Sequence, residues 1–159
     1  METSKNDKVG PRILVVDDSD NERRALVIGL RLEGFDAAPA SGGDDALSQL
    51  KESRFDVVLI DLMMPSMNGL QLARNIRLVA PEVITVLMSA YALSPIQLAR
   101  ADVGVVGFVP KPYCFEELVK FIRTKMELAR ESRPSSTPTT VKKLGLPGPV
   151  DLTEIPVAG

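Results

Sequence analysis

Five residues of this 159-residue sequence could act together chemically: Asp17, Asp18, Asp61, Ser89 and Lys111. Three are carboxylates, one is a hydroxyl and one an amine. Carboxylates packed together repel, so each resists ionisation. A divalent cation removes that conflict, and a ligand set of oxygens alone favours a hard ion, with magnesium the first choice. A lysine beside the cation suits a dianionic phosphoryl group as a point charge, and a serine hydroxyl suits it as a hydrogen-bond donor. A carboxylate can also attack phosphorus and form an acyl phosphate. The residue types alone leave open which of the three would do so. The sequence has no histidine and one cysteine, Cys114. Ser-His-Asp and Cys-His catalysis, histidine-ligated zinc, multi-cysteine metal sites and an internal disulfide are therefore excluded. A lone cysteine fits a reducing compartment.

The elements that must position these residues are legible as β-branched apolar runs. They are Ile13–Val16, Val57–Ile60, Val83–Met88 and Val105–Val109, with a weaker strand over Phe35–Ala38. The runs are continuous rather than alternating, which predicts strands buried on both faces of a parallel sheet. Helical patterns separate them. The first is expected to be capped by Asp20 and to run through Glu33. Others fit Gly43–Glu52 and Gly69–Val79. Ser94 followed by Pro95 marks the start of a fourth. The last, from about Phe115 to Arg130, sets Leu118, Phe121, Ile122 and Met126 on one face. A β-α unit repeated five times gives a doubly wound α/β fold with helices on both faces. Ligands of such sheets bind beyond the carboxyl ends of the strands. Asp17, Asp18, Asp61, Ser89 and Lys111 stand at those ends.

The segments ILVVDDSDNERR, VVLIDLMMPSMNGLQLARNIR, VLMSAY and GFVPKP, in this order and at this spacing, resemble the receiver domain of two-component response regulators over about residues 12–130. The resemblance implies a flavodoxin-like five-stranded sheet of order 2-1-3-4-5. It implies that Asp61 is the phosphoacceptor and that Asp17, Asp18, Asp61 and the backbone carbonyl of Met63 hold Mg2+. Lys111 would bridge to the phosphoryl oxygens. Ser89 and Phe108 would form the switch that reports phosphorylation, and the Lys111–Pro112 peptide would be cis. At Met63 the sequence departs from the family, which often carries a small or polar residue there, and Tyr91 stands at a position that varies widely. Both flank the route of water to an acyl phosphate, so the expectation is a phosphoryl lifetime longer than in members with polar residues there. Met64, Met67 and Met88 read as site-edge or core residues.

Residues 1–10 read as a flexible lead, 11–130 as the receiver domain and 131–159 as a Pro-rich disordered tail. The tail holds five of the twelve prolines and no aromatic residue, so it buries too little to offset its ordering entropy. Its segment LGLPGPVDLTEIPVAG could serve as a docking peptide. The apolar fraction of 45% supports a real core, and the net charge of −2 gives no basic excess for nucleic acid or anionic membrane. No apolar run is long enough to span a bilayer, and the polar N-terminus is not expected to be a signal peptide. The expectation is a stand-alone, cytoplasmic regulator with no direct DNA binding. Its partners would be a histidine kinase or histidine phosphotransfer protein and a downstream effector protein, with a homodimer on phosphorylation as a further arrangement. The alternative is a phosphorelay intermediate that passes the phosphoryl group to a second histidine. A flavin-binding protein of the same fold would leave the acid–serine–lysine set without a role.

Overall fold

The computed structural model describes residues 10–65, 67–91, 94, 96, 97 and 107–132. The elements run β1 (Arg12–Val16), α1 (Asp20–Leu32), β2 (Asp36–Ala40), α2 (Gly43–Glu52), β3 (Val57–Asp61), α3 (Gly69–Val79), β4 (Ile84–Ser89), β5 (Gly107–Pro110) and α4 (Phe115–Ser132). All strand pairs are parallel and the sheet order is β2-β1-β3-β4-β5.

The continuous apolar runs resolve into two alternating sets, because successive side chains of a strand point to opposite faces. Leu14, Val16, Val58 and Ile60 pack with Ala46 and Leu50 of α2 and Leu72 and Ile76 of α3. Ile13, Val15, Val57 and Leu59 pack on the other face with Leu26, Val27 and Leu30 of α1 and Leu118, Val119 and Ile122 of α4. Burial on both faces removes any polar alternation, so Ile13–Val16 and Val57–Ile60 read as unbroken hydrophobic segments.

Several boundaries differ from the sequence expectation. Ser19 caps α1, not Asp20: its Oγ accepts from the Glu22 amide at 3.4 Å, and Asp20 is the first helical residue, paired with Arg23. The second strand covers Asp36–Ala40 rather than Phe35–Ala38 and includes Pro39. β2 lies at the sheet edge, where a missing N–H leaves no ladder partner unmatched. Phe35 instead belongs to the core beside α1, after Gly34 turns the chain at a φ of +94°. α4 extends two residues past Arg130. Val105 and Val106 lie outside the described residues, as do the lead before Gly10 and the tail beyond Ser132. The body of the helix expected after Ser94 lies outside them too. Its start shows a reciprocal cap: Ser94 Oγ accepts from the Gln97 amide at 3.2 Å, and Gln97 Oε1 accepts from the Ser94 amide at 2.8 Å.

Candidate functional site

The carboxyl edge of the sheet gathers the acidic residues. Asp17 follows β1, where its backbone amide donates to Ala40 O at 3.3 Å, and Asp61 is the last residue of β3, in register with Met88 of β4. Carboxylate oxygens of Asp17, Asp18 and Asp61 all lie within 4.8 Å of one another. The two adjacent aspartates are not equivalent. Asp17 is 6% exposed and Asp18 faces solvent. Asp17 Oδ1 accepts from the Ser19 amide at 2.9 Å, and its carbonyl accepts from Arg23 Nη1 at 2.7 Å.

Backbone hydrogen bonds anchor both ends of the segment between β3 and α3. The Leu62 amide donates to Met88 O, and the Gly69 amide donates to Leu62 O, both at 2.9 Å. A Cβ at Gly69 would stand 2.8 Å from Leu62 Cα and 2.9 Å from Asp61 O, so only glycine lets α3 start this close to the acidic edge. Asn68 caps α3 through Oδ1, which accepts from the Gln71 amide at 2.8 Å. The Met63 amide lies 3.4 Å from Asp61 Oδ1 while its side chain is 58% exposed. The Tyr91 ring is likewise exposed at 66%.

β5 delivers Lys111. Ser89 pairs with Pro110, the Lys111 amide donates to Ser89 O at 2.8 Å, and the Lys111–Pro112 peptide is cis. The Lys111 ammonium lies 2.9 Å from Glu22 Oε2, 3.6 Å from Asp17 Oδ2 and 3.8 Å from Asp61 Oδ1. The Ser89 side chain is buried, and its Oγ accepts from the Tyr91 amide at 3.0 Å. Phe108 is half-buried against the core on the α2–α3 side. The structure thus brings Asp17, Asp18, Asp61 and Lys111 into one cluster, with Ser89 one strand away. Glu22 joins that cluster and was missed by the sequence reading. It is 89 positions from Lys111, and its only signal was a place in the first turn of the helix that leaves the acidic edge.

The electrostatics follow from this crowding. Burial pushes the Asp17 carboxyl up to about 6; the Ser19 amide and Lys111 pull against it, while Asp61 and Glu22 add repulsion. Asp61 is also raised, first by burial, despite Lys111 and the Met63 amide. For Lys111, burial lowers the value, but the Glu22 hydrogen bond and the Asp61, Asp17 and Glu22 charges together outweigh it and the net direction is up. Glu22 is lowered, first by its hydrogen bond to Lys111. A cavity of about 740 Å3, lined by Leu26, Gly29, Met88, Tyr113 and Phe115, opens beside the cluster and includes Lys111.

A parallel sheet of order 2-1-3-4-5 with its polar groups at the carboxyl edge belongs to the flavodoxin-like class of α/β folds. Within that class the chain belongs to the response regulator receiver domain family, which it matches over residues 13–123. It is 38% identical over 121 residues to the DNA-binding response regulator MtrA of Mycolicibacterium smegmatis, covering 76% of this chain and 52% of that protein. The chain thus spans about half the length of the curated relatives it matches. It superposes on the response regulator protein TrrA of Thermotoga maritima, solved in complex with Mg(2+)-BeF. The TM-score is 0.65 and the identity 31%, covering 72% of this chain and 98% of that one. It shares the fold of a CheY-like receiver domain protein from Methanospirillum hungatei JF-1, with TM-score 0.73, 22% identity and coverage of 78% and 99%. Receiver domains are signalling switches of two-component systems and bind Mg2+ at an acidic pocket. Among the described residues, no helix is long and apolar enough to cross a membrane.

Proposed function

We propose that this domain accepts a phosphoryl group on Asp61 from a partner histidine kinase or histidine phosphotransfer protein, in the cytoplasm, and thereby switches a contact with an effector protein. The observation that carries the reading is the cluster itself: three carboxylates within 4.8 Å of one another and one ammonium within 4 Å of two of them. Such a donor set fits Mg2+, since it holds only hard oxygen ligands whose mutual repulsion and burial call for a cation. Asp17, Asp18, Asp61 and the Met63 carbonyl would hold the ion. When bound, it supplies positive charge against the phosphoryl oxygens.

In the transfer, an Asp61 carboxylate oxygen forms the new bond to phosphorus while the phosphorus–nitrogen bond of the donor phosphohistidine breaks. The leaving imidazole nitrogen keeps that bond's electron pair. Lys111 moves toward the added oxygens and offsets their charge. Ser89 turns its hydroxyl from the Tyr91 amide to donate to the phosphoryl group, and Phe108 repacks with it. The effector then reads the altered surface around β5 and α4, a shift between two populations. A net charge of −2 supports protein contact over DNA contact as the output of this domain.

The test is intact mass after incubation with Mg2+ and acetyl phosphate. The chain should gain one phosphoryl mass, about 80 Da, and Asp61→Ala should not. No gain in the folded wild-type chain would remove the acceptor role from Asp61.

A further inference from the structure

Lys111 is held in the resting structure by a residue that the phosphoryl chemistry does not use. Its ammonium is 2.9 Å from Glu22 Oε2, against 3.6 Å and 3.8 Å to Asp17 and Asp61. Glu22 reaches it from the first turn of α1, where the helix N-terminus favours a carboxylate. The neighbouring basic residue, Arg23, is committed elsewhere, to the Asp17 carbonyl and to Asp20. Glu22 is 59% exposed and Lys111 only 20%, so the ammonium is drawn from a sheltered site toward its rim.

Building on the reading of Asp61 as acceptor, we propose that Glu22 is a positioning residue that holds Lys111 closer to α1 than to Asp61 in the unphosphorylated state and so raises the threshold for phosphorylation. The contact favours the unmodified form for two reasons. Lys111 must turn toward the phosphoryl oxygens, which weakens its bond to Glu22. The added phosphoryl charge also repels the Glu22 carboxylate, which stands beside the same ammonium. An interaction stronger in one state than the other shifts the equilibrium by that difference. A partly exposed ion pair sets the scale, so the shift is roughly two- to fivefold.

Two variants of the full chain separate the contact from charge in general. Glu22→Gln removes both, whereas Glu22→Asp keeps the charge and draws it back by one methylene. Reactivity of Lys111 toward a limiting acylating ester without Mg2+, read by peptide mass, reports the contact independently of phosphorylation. Phosphoryl mass gain against acetyl phosphate concentration, with Mg2+, reports the threshold. Both variants should raise Lys111 labelling and reach half-phosphorylation at roughly two- to fivefold less acetyl phosphate than wild type. Unchanged labelling overturns the contact. Raised labelling with an unchanged or higher threshold overturns its role. A Glu22→Asp response equal to wild type in both assays assigns the effect to general charge and overturns positioning. If wild type takes no phosphoryl group, the acceptor reading fails and the threshold with it, while the labelling difference still distinguishes that failure from loss of the contact.

Discussion

Asp17→Asn should make the metal-free protein more stable at neutral pH, although it removes a candidate metal ligand. Asp17 is buried beside two other carboxylates, and its folded value of about 6 stands above the ordinary 3.8. The folded state therefore binds the proton more tightly than the unfolded state. Stability from this group is fully present below 3.8 and is lost as pH rises through about 6. That interval corresponds to about 3 kcal/mol as a ceiling. Asparagine mimics the neutral acid in shape, and its Oδ1 can still accept from the Ser19 amide, now at 2.9 Å. The expected gain is roughly 1–3 kcal/mol at pH 7.5, a rise in urea midpoint on the order of 1 M. Urea unfolding in EDTA at pH 7.5 and again below pH 4 measures it. The gap should close at the lower pH, where wild-type Asp17 is itself protonated. Saturating Mg2+ should narrow the gap at pH 7.5, because a ligand that binds only the folded state stabilises wild type more. A midpoint at pH 7.5 equal to or below wild type, or a gap independent of pH, would refute the electrostatic reasoning.

Other expectations follow from the same geometry. Mg2+ affinity should fall as pH drops through about 6, because a proton on Asp17 competes with the cation; calorimetric titration at pH 5 and 7.5 checks this. Gly69→Ala should destabilise the fold by roughly 1–3 kcal/mol through overpacking, since its Cβ would meet Leu62 Cα at 2.8 Å and Asp61 O at 2.9 Å. An unchanged thermal midpoint would show that α3 shifts freely. Met63→Asn should shorten the phosphoryl lifetime by replacing an exposed apolar side chain beside Asp61 with one that can orient water. Mass-resolved decay after donor removal tests it, and an unchanged rate counts against any shielding by Met63. Ser89→Ala should still gain the phosphoryl mass on Asp61, yet show a smaller perturbation of the Tyr91 amide resonance on phosphorylation, because the hydroxyl that accepts from that amide is gone.

Much of this molecule is written locally. Val57–Ile60 is an unbroken apolar run, and Ile84–Met88 is interrupted only by the buried Thr85, because both faces of the sheet are covered, so burial itself makes these strands visible in one dimension. The bounds of α2 and α3 match the expected ones, and at α3 the reason is local: Asn68 reaches the Gln71 amide three residues on. The acidic residues and Lys111 could be assigned to one sheet edge because a β-α repeat sends every strand's carboxyl end the same way.

What depends on distant parts of the chain was not written there. Pro39 sits inside β2 only because that strand is the sheet edge, a fact of strand order. Asp17 and Asp18 are chemically identical neighbours with carboxylate oxygens within 4.8 Å of each other, yet Asp17 is buried and its carboxyl raised while Asp18 faces solvent. Glu22 meets Lys111 across 89 positions because α1 starts, and β5 ends, at the acidic edge. Sequence determined which groups this domain has for its chemistry. Tertiary structure decided which of them share a charge, because a few ångströms in a sheltered site outweigh any separation along the chain.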